Sequence, residues 1–114
     1  STEFNNTPYE QQMRTLQEYI KMHCVHPISI SDLCKVLAVS PQHVCRILKK
    51  TLGIHPTEYI NQVRIELACS MLLYSNLSIK EIGEKCGFQN TSYFCKKFKQ
   101  FEHLTPLEYR NSVI

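Results

Sequence analysis

Two stretches of this chain carry the same pattern: SISDLCKVLAVSPQHVCRILK at residues 29–49 and SIKEIGEKCGFQNTSYFCKKFK at residues 78–99. Matching residues lie 49 positions apart as far as Phe88 and 50 positions apart after Gln89, which is one extra residue in the second copy. Apolar, small and helix-capping residues recur at matching points, as expected for an internal repeat of one supersecondary unit. We therefore expect one structural unit to be used twice.

Both copies carry helix-starting signals at equivalent positions. In each copy, a serine and an acidic residue three positions later have the spacing of a capping box, whose side chains satisfy free amides of the first helical turn. A second N-cap follows, and in the first copy Pro41 occupies the first helical position that proline favours. These starting residues are Ser29, Asp32 and Ser40 in the first copy and Ser78, Glu81 and Asn90 in the second. Each copy thus predicts a short helix, a tight turn and a longer second helix.

The second helix of each copy has one apolar side. Its apolar residues keep helical spacing, which leaves the opposite side free for a partner. They are Val44, Ile47 and Leu48 in the first copy and Phe94, Phe98 and Phe101 in the second. An alternative interpretation is a regular helical array, although such arrays usually need three or more units to bury a continuous core. Two units joined by one long helix favour a bilobal domain.

Three further helices complete the predicted fold. The first opens with a capping box at Thr7 and Glu10, runs to about His26, and packs its apolar face on the first helix-turn-helix. A linker helix covers residues 56–74, and a short final helix covers residues 106–111. The inward side of the linker helix is predicted to carry Tyr59, Ile60, Val63, Leu67, Met71 and Leu72.

The predicted fold is all-α, with about seven helices in two helix-turn-helix subdomains joined by a long linker helix. Residues 1–6 are expected to be a linker end or a terminal remnant, residues 7–55 the first helix and first helix-turn-helix, residues 56–75 the linker helix, and residues 76–114 the second helix-turn-helix with the final helix. At its rise per residue the linker helix spans roughly 28 Å. That length is of the same order as the separation of two major-groove readers on one face of B-DNA, about 34 Å.

Positive charge is concentrated on the two second helices. The chain has a net charge of +3, with 13 basic and 10 acidic residues. Residues 40–52 and 90–101 hold 6 of the 13 basic residues and no acidic one, and the rest of the chain has a net charge of −3. A polyanion is the natural partner, because lysine and arginine release counterions when they neutralise phosphates. DNA fits better than a membrane, because neither helix pairs its basic side with an exposed aromatic stripe.

Other classes of function find little support. The sequence has no apolar run of about 18 residues and no basic-then-apolar leader, so we expect a soluble cytoplasmic chain without an export signal. It has no glycine-rich phosphate loop, HExxH motif or paired carboxylates, so we expect neither an enzyme nor a cofactor. The six cysteines form no CxxC pair, and His23, Cys24 and His26 make the one tight cluster, so we expect no metal site.

The chain resembles the DNA-binding domain of the AraC/XylS family of bacterial transcription regulators over about residues 28–110. The matching positions are Leu33, Val39, Ser40, Arg46, Leu48, Lys49, Gly53, Pro56, Tyr59, Arg64, Ala68, Leu72, Leu73, Ile79, Ile82, Gly87, Phe88, Ser92, Phe94, Phe98, Lys99, Thr105, Pro106, Tyr109 and Arg110. The resemblance implies that the second helices, about residues 41–52 and 91–101, enter successive major grooves of double-stranded promoter DNA. It also implies an upstream sensor or dimerisation domain and a contact with RNA polymerase.

The resemblance also implies base contacts at defined positions. They are Gln42, Cys45 and Arg46 in the first unit and Thr91, Ser92, Tyr93, Cys95 and Lys96 in the second. Arg46 is the strongest candidate, because arginine can pair bidentately with guanine, as glutamine can with adenine. Tyr93 can touch a base or the sugar-phosphate edge.

Phosphate contacts are expected from lysines of these two helices and from the first turns of two other helices. The candidates are Lys49, Lys50, Thr57, Lys97, Lys99 and Leu107. Lys49 and Lys99 face either phosphate or water, whereas Thr57 and Leu107 would offer backbone amides from the first turn of a helix. Arg64 could contact phosphate or form an internal salt bridge with one of the acidic residues Glu66, Glu81 and Glu84.

The chain departs from the family pattern at three positions. His103 stands where the repeat and the family lead us to expect glycine, so that helix end is expected to be built differently. Cys45 and Cys95 occupy equivalent positions where stronger hydrogen-bonding residues would discriminate bases better. A redox-sensing hypothesis follows, in which the neighbouring Arg46 and Lys96 lower the pKa of these two thiols.

The alternative function is that of a helical module whose basic faces bind an acidic protein or RNA without base specificity. Both functions predict binding that weakens with salt. Sequence preference among DNA duplexes distinguishes them, because phosphate contacts alone carry no base information.

Overall fold

A computed structural model describes residues 8–112 of the chain. This part contains seven α-helices. They are α1 (Pro8–His23), α2 (Ile30–Leu37), α3 (Pro41–Leu52), α4 (Pro56–Tyr74), α5 (Ile79–Lys85), α6 (Thr91–Glu102) and α7 (Pro106–Asn111). Residues 8–112 contain no strand, and the predicted all-α fold with two helix-turn-helix units and a long linker helix is confirmed. The predicted remnant at residues 1–6 and the cap at Thr7 lie outside the described residues.

The chain forms two compact units. The first contains residues 8–23 and Pro27–Ile60, and the second contains Cys24–His26 and residues 61–112. The division falls inside α4, so this helix contributes residues to both units. Three residues between α1 and α2 belong to the second unit, a feature for which the sequence repeat carries no signal.

The first unit packs α1 against α2 and α3. Its buried apolar side chains are Met13, Leu16, Ile20, Leu33, Val44, Ile47, Leu48, Tyr59 and Ile60. The predicted end of the first helix at about His26 is wrong, since α1 ends at His23. Pro27 disfavours a helical backbone at His26, and the carbonyls of Cys24 and His26 accept hydrogen bonds from Arg64.

The second unit is built around a close crossing of α5 and α6. Its central buried cluster comprises Ile65, Ala68, Leu72, Ile82, Cys86, Phe88, Phe94 and Phe98. A Cβ atom added at Gly83 would lie 2.8 Å from Cδ2 of Phe94, so the absence of a side chain at Gly83 makes room for the aromatic ring. The small residue at this point of the repeat thus lets α5 and α6 cross closely.

The predicted capping boxes start α2 and α5, and a third one at Thr105 and Glu108 starts α7. In α2, the amide of Asp32 donates to Ser29 Oγ at 3.2 Å, and the amide of Ser29 donates to the Asp32 carboxylate at 2.8 Å. Each carboxylate accepts a hydrogen bond from a backbone amide, and this bond holds the pKa of the carboxylate below its ordinary value. This is so at Asp32, Glu81 and Glu108. Ser40 and Asn90 cap α3 and α6 as predicted.

The ends of α3 and α6 have the same left-handed backbone, although their residues differ. Gly53 has φ 71° and His103 has φ 65°. The amide of His103 donates to the carbonyl of Lys99 at 2.9 Å, which closes the helix in the usual way for a left-handed cap. The expectation that this helix end is built differently is therefore wrong: His103 adopts the conformation that glycine would have supplied.

Candidate nucleic-acid interface

The helix α3 presents a basic, acid-free side opposite its buried side. Val44, Ile47 and Leu48 are fully buried, so the residues on the opposite side of α3 point away from the core. The candidate residues Gln42, Arg46, Lys49 and Lys50 are exposed, and Cys45 is half-buried. The first-unit candidates on α3 therefore share one accessible helix face.

A cavity of about 350 Å³ opens on this face of α3. It is lined by Gln42, Cys45, Arg46, Lys49, Ile54 and His55. The left-handed turn at Gly53 reverses the chain and returns Ile54 and His55 to the helix. Sequence reasoning missed these two residues, and the glycine that ends α3 was the signal that could have found them.

His43, which precedes the buried Val44, is held in place by residues of α1. His43 Nε2 lies 3.2 Å from Gln12 Oε1, and the His43 ring lies 5.8 Å from the Tyr9 ring. The amide of His43 donates to Ser40 Oγ at 3.2 Å. Helix α1 thus supports the first turn of α3, the turn that carries Gln42.

The helix α6 repeats this arrangement in the second unit. Phe94 and Phe98 are fully buried, whereas the candidates Thr91, Ser92, Tyr93, Lys96 and Lys99 are exposed and Cys95 is half-buried. The amide of Tyr93 donates to Asn90 Oδ1 at 2.9 Å, which fixes the first turn. The candidates of the second unit on α6 also share one accessible face.

Tyr93 is fixed from several sides, although its side chain is 43% exposed. The buried amide of Asn61 donates to its hydroxyl at 3.0 Å, and Phe88 packs on its ring at 6.1 Å. The ammonium of Lys97, a candidate for phosphate, lies 5.6 Å from the centre of the Tyr93 ring, a cation–π distance. The hydroxyl of Tyr93 therefore accepts a hydrogen bond within the protein, while part of its ring stays exposed. Sequence reasoning missed Asn61, because a polar residue inside a helix pattern is usually exposed.

The two amide candidates for phosphate differ. The amide of Thr57 donates to Nδ1 of His55 at 3.2 Å, so His55 already serves as its partner at the start of α4. Leu107 is 57% exposed in the first turn of α7. The first candidate amide is thus engaged within the protein.

Arg64 donates to two backbone carbonyls within the second unit. Its Nε donates to the carbonyl of Cys24 at 2.7 Å, and a terminal nitrogen donates to the carbonyl of His26 at 3.0 Å. Its guanidinium also lies 5.8 Å from the centre of the Phe88 ring. Burial lowers the pKa of Arg64, because desolvation disfavours its charged form. Two backbone carbonyls thus stand in place of the expected salt bridge with Glu66, Glu81 or Glu84, and the phosphate contact of Arg64 stays a prediction.

Burial raises the pKa of several cysteine thiols. Burial raises the pKa of Cys95, in the direction opposite to the one that the redox hypothesis requires. Burial also raises the pKa of Cys69 to about 11 and that of Cys86 to about 12. Residues 8–112 contain no group of three histidine, cysteine or acidic side chains arranged to hold a metal ion. None of the helices in this part of the chain is long and apolar enough to cross a membrane.

The chain is similar to known regulators along most of its length. A family model described as a helix-turn-helix domain matches residues 33–112. Regulatory protein PocR of Salmonella typhimurium is 33% identical over 107 residues, which cover 94% of this chain and 35% of that protein. The chain spans about a third of the length of the curated relatives it matches first.

Solved structures share the fold. The C-terminal domain of the two-component response regulator yesN from Fusobacterium nucleatum gives a TM-score of 0.80 at 32% identity, covering 88% of this chain and 98% of that one. A transcriptional regulator from Chromobacterium violaceum, of the proteins that contain an AraC-type DNA-binding domain, gives a TM-score of 0.86 at 25% identity, covering 90% and 92%. The chain therefore belongs to the AraC/XylS family of transcription regulators and carries the family's DNA-binding domain with its two helix-turn-helix units.

Proposed function

We propose that this chain binds promoter DNA sequence-specifically, with α3 and α6 as recognition helices in successive major grooves. The observation that carries the proposal is the repeated helix face: both helices bury apolar residues on one side and expose uncharged and basic residues on the other. No acidic residue interrupts residues 40–52 or 90–101. Such faces can approach phosphates and still offer side chains to base edges.

The residues divide into two roles under this proposal. Base edges are read by Gln42, Cys45, Arg46, Thr91, Ser92, Tyr93, Cys95 and Lys96. Phosphates are contacted by Lys49, Lys50, Lys97, Lys99 and the amide of Leu107. The ammonium of Lys97 does so from its position beside the Tyr93 ring. The amide of Thr57 would have to exchange His55 for a phosphate oxygen. The activity is binding without catalysis.

The proposal also covers parts of the full-length regulator other than this chain. The first relatives are about three times as long as the matched region, which supports a sensor or dimerisation domain elsewhere in the protein. RNA polymerase would be the partner through which DNA binding changes transcription, and the cytoplasm would be the compartment.

A selection of bound duplexes from a random DNA pool tests the function. We expect an asymmetric site with two unlike blocks about 34 Å apart, one helical turn of B-DNA, and an affinity that falls steeply with salt. Titration of the selected duplex against a shuffled duplex and an RNA of the same length serves as the control. Equal affinity for all of these would support the basic helical module that binds acidic partners without base specificity, and would refute the proposal.

A further inference from the structure

The cavity beside α3 has walls of mixed chemistry but mainly apolar surface. Ile54 and the thiol of Cys45 are apolar or nearly so, because a free cysteine behaves as a small hydrophobe with a weak hydrogen-bond donor. The alkyl stems of Arg46 and Lys49 add to this surface while their charged ends can stay in water. Gln42 and His55 complete the lining.

The charges around the cavity select its occupant. Arg46 and Lys49 border it, and no acidic residue lies in residues 40–52, so the cavity suits a group attached to a polyanion. Of the base edges exposed in the major groove, thymine alone carries an apolar group, the methyl on C5. Apolar surface beside cationic side chains therefore matches a thymine edge better than it matches the other three bases.

We propose that this cavity receives the 5-methyl group of a thymine in the first half-site, with Cys45 and Ile54 as the residues that determine the preference. The proposal rests on the proposed function, which brings α3 into the major groove. Gln42 and Arg46 flank the cavity, and both can hydrogen-bond purines, so the thymine lies at or next to a base pair that they read. Cys45 then contributes specificity through its apolar surface.

Replacement of single thymines by deoxyuridine tests the methyl contact on the DNA side. Deoxyuridine keeps every hydrogen-bonding group and removes one methyl. We expect one position of the first half-site to lose about fourfold in affinity, the effect of one buried carbon. Cytosine and 5-methylcytosine at the same position distinguish the two natural sources of this group: methylation should restore about fourfold over cytosine if the methyl itself is bound.

Two variants test the protein side. Cys45→Ser preserves the size of the side chain but replaces the thiol by a hydroxyl, and Ile54→Thr removes apolar surface without altering branching. Either variant should shrink the deoxyuridine effect to less than about twofold while leaving binding dependent on sequence. Cys95→Ser is the matched control at the equivalent position of the second unit. It should leave unchanged the loss of affinity that deoxyuridine causes in the first half-site.

The outcomes separate the two proposals. Sequence-specific binding in which no thymine of the first half-site responds to deoxyuridine overturns the methyl site and leaves the proposed function standing. A deoxyuridine effect of unchanged size in both Cys45→Ser and Ile54→Thr also overturns it. Binding without any sequence preference overturns the proposed function, and the methyl site falls with it.

Discussion

The helix-turn-helix of the first unit has Cys34 and Val44 at the positions where that of the second unit has Gly83 and Phe94. In the second unit the large ring of Phe94 fills the space that a side chain at Gly83 would need. Volume removed from one helix is thus added on the facing helix. The repeated backbone tolerates this exchange because helix packing depends on the summed volume at a contact as well as on each residue separately.

The residues at the start of the two recognition helices show the same principle with polar groups. His43 and Tyr93 are equivalent in the repeat, and each is held by an amide side chain from another helix of its own unit. Gln12 on α1 contacts His43 at 3.2 Å, and Asn61 on α4 donates to Tyr93 at 3.0 Å. The two equivalent residues are thus supported in the same way, although the supporting side chain comes from α1 in the first unit and from α4 in the second.

The largest expected effect is at the turn of the second unit. Gly87 has φ 101°, and an added Cβ would lie 2.3 Å from the backbone oxygen of Cys24. We expect Gly87→Ala to lower the free energy of unfolding by more than about 2 kcal/mol, since strain and overpacking both act. The matched change Ala38→Gly in the first unit should alter stability by less than about 1 kcal/mol. Urea titration followed by circular dichroism measures both, and similar losses would contradict the comparison.

Base readout should differ between equivalent residues of the two units. Arg46 can form a bidentate contact with guanine, whereas Lys96 offers a single flexible ammonium. We expect Arg46→Ala to weaken binding of the selected duplex by about 1 to 3 kcal/mol and to relax one base position. Lys96→Ala should have a smaller effect, and Lys49→Ala should weaken all duplexes alike. A uniform loss over all sequences with Arg46→Ala would show that Arg46 contacts phosphate.

The amide supports of the two units should differ in strength because their burial differs. Tyr93→Phe leaves the Asn61 amide, which is 3% exposed, without this partner. We expect a loss of about 1 to 3 kcal/mol in unfolding free energy, and the second change Asn61→Leu should recover part of it. Gln12→Met in the first unit should lose about 1 kcal/mol, because Gln12 is only half-buried. Additive losses for Tyr93→Phe and Asn61→Leu would argue against the hydrogen bond.

Exchange of the two helix-ending residues gives a smaller effect of opposite sign. His103 adopts φ 65° without the conformational freedom of glycine. We expect His103→Gly to raise the thermal midpoint and stabilise the chain by up to about 1 kcal/mol, and Gly53→His to destabilise it by a similar amount. Calorimetry of both single variants measures the pair. Destabilisation by His103→Gly would reveal a contact of the histidine ring that outweighs its backbone strain.

The smallest expected effect is a dependence on acidity at the capping boxes. The amide of Ser78 holds the pKa of the exposed Glu81 below its ordinary value of 4.5. A depressed pKa means that the carboxylate stabilises the fold above the ordinary value and stops doing so as the pH falls through the lower folded value. Glu81→Gln should therefore lower the thermal midpoint slightly at neutral pH and have no effect at about pH 2. Asp32→Asn makes the same test in the first unit, and a difference that persists in acid would exclude the cap as its cause.

Local signals in the sequence were sufficient for the helices, and the contacts between distant residues were not predictable. Capping boxes and apolar spacing depend on neighbours within one or two turns, so α2, α3 and α5 to α7 could be placed from the sequence. The linker helix was predicted in extent, but Leu67 and Met71 are only partly buried while Ile65 and Ala68 are buried. Because α4 serves the cores of two units, no single apolar stripe describes it.

The candidate interface divides in the same way. The exposed basic faces followed from periodicity and charge, both of which are local. Ile54 and His55 border the cavity because a left-handed glycine turns the chain back, and Asn61 reaches Tyr93 over 32 positions of sequence. The acceptors of Arg64 are backbone carbonyls, which every residue carries, so side-chain identity offered no means to find them.

The short segment Cys24–His26 has a consequence for building chimeric regulators. It belongs to the second unit although the residues on both sides of it belong to the first. A fragment that begins at residue 61 would leave Arg64 without these acceptors, and the second unit cannot be cut out intact at α4. Because the acceptors are main-chain atoms, however, the corresponding segment of another family member can supply them. A chimera that exchanges the second unit should therefore carry this segment together with residues 61–112.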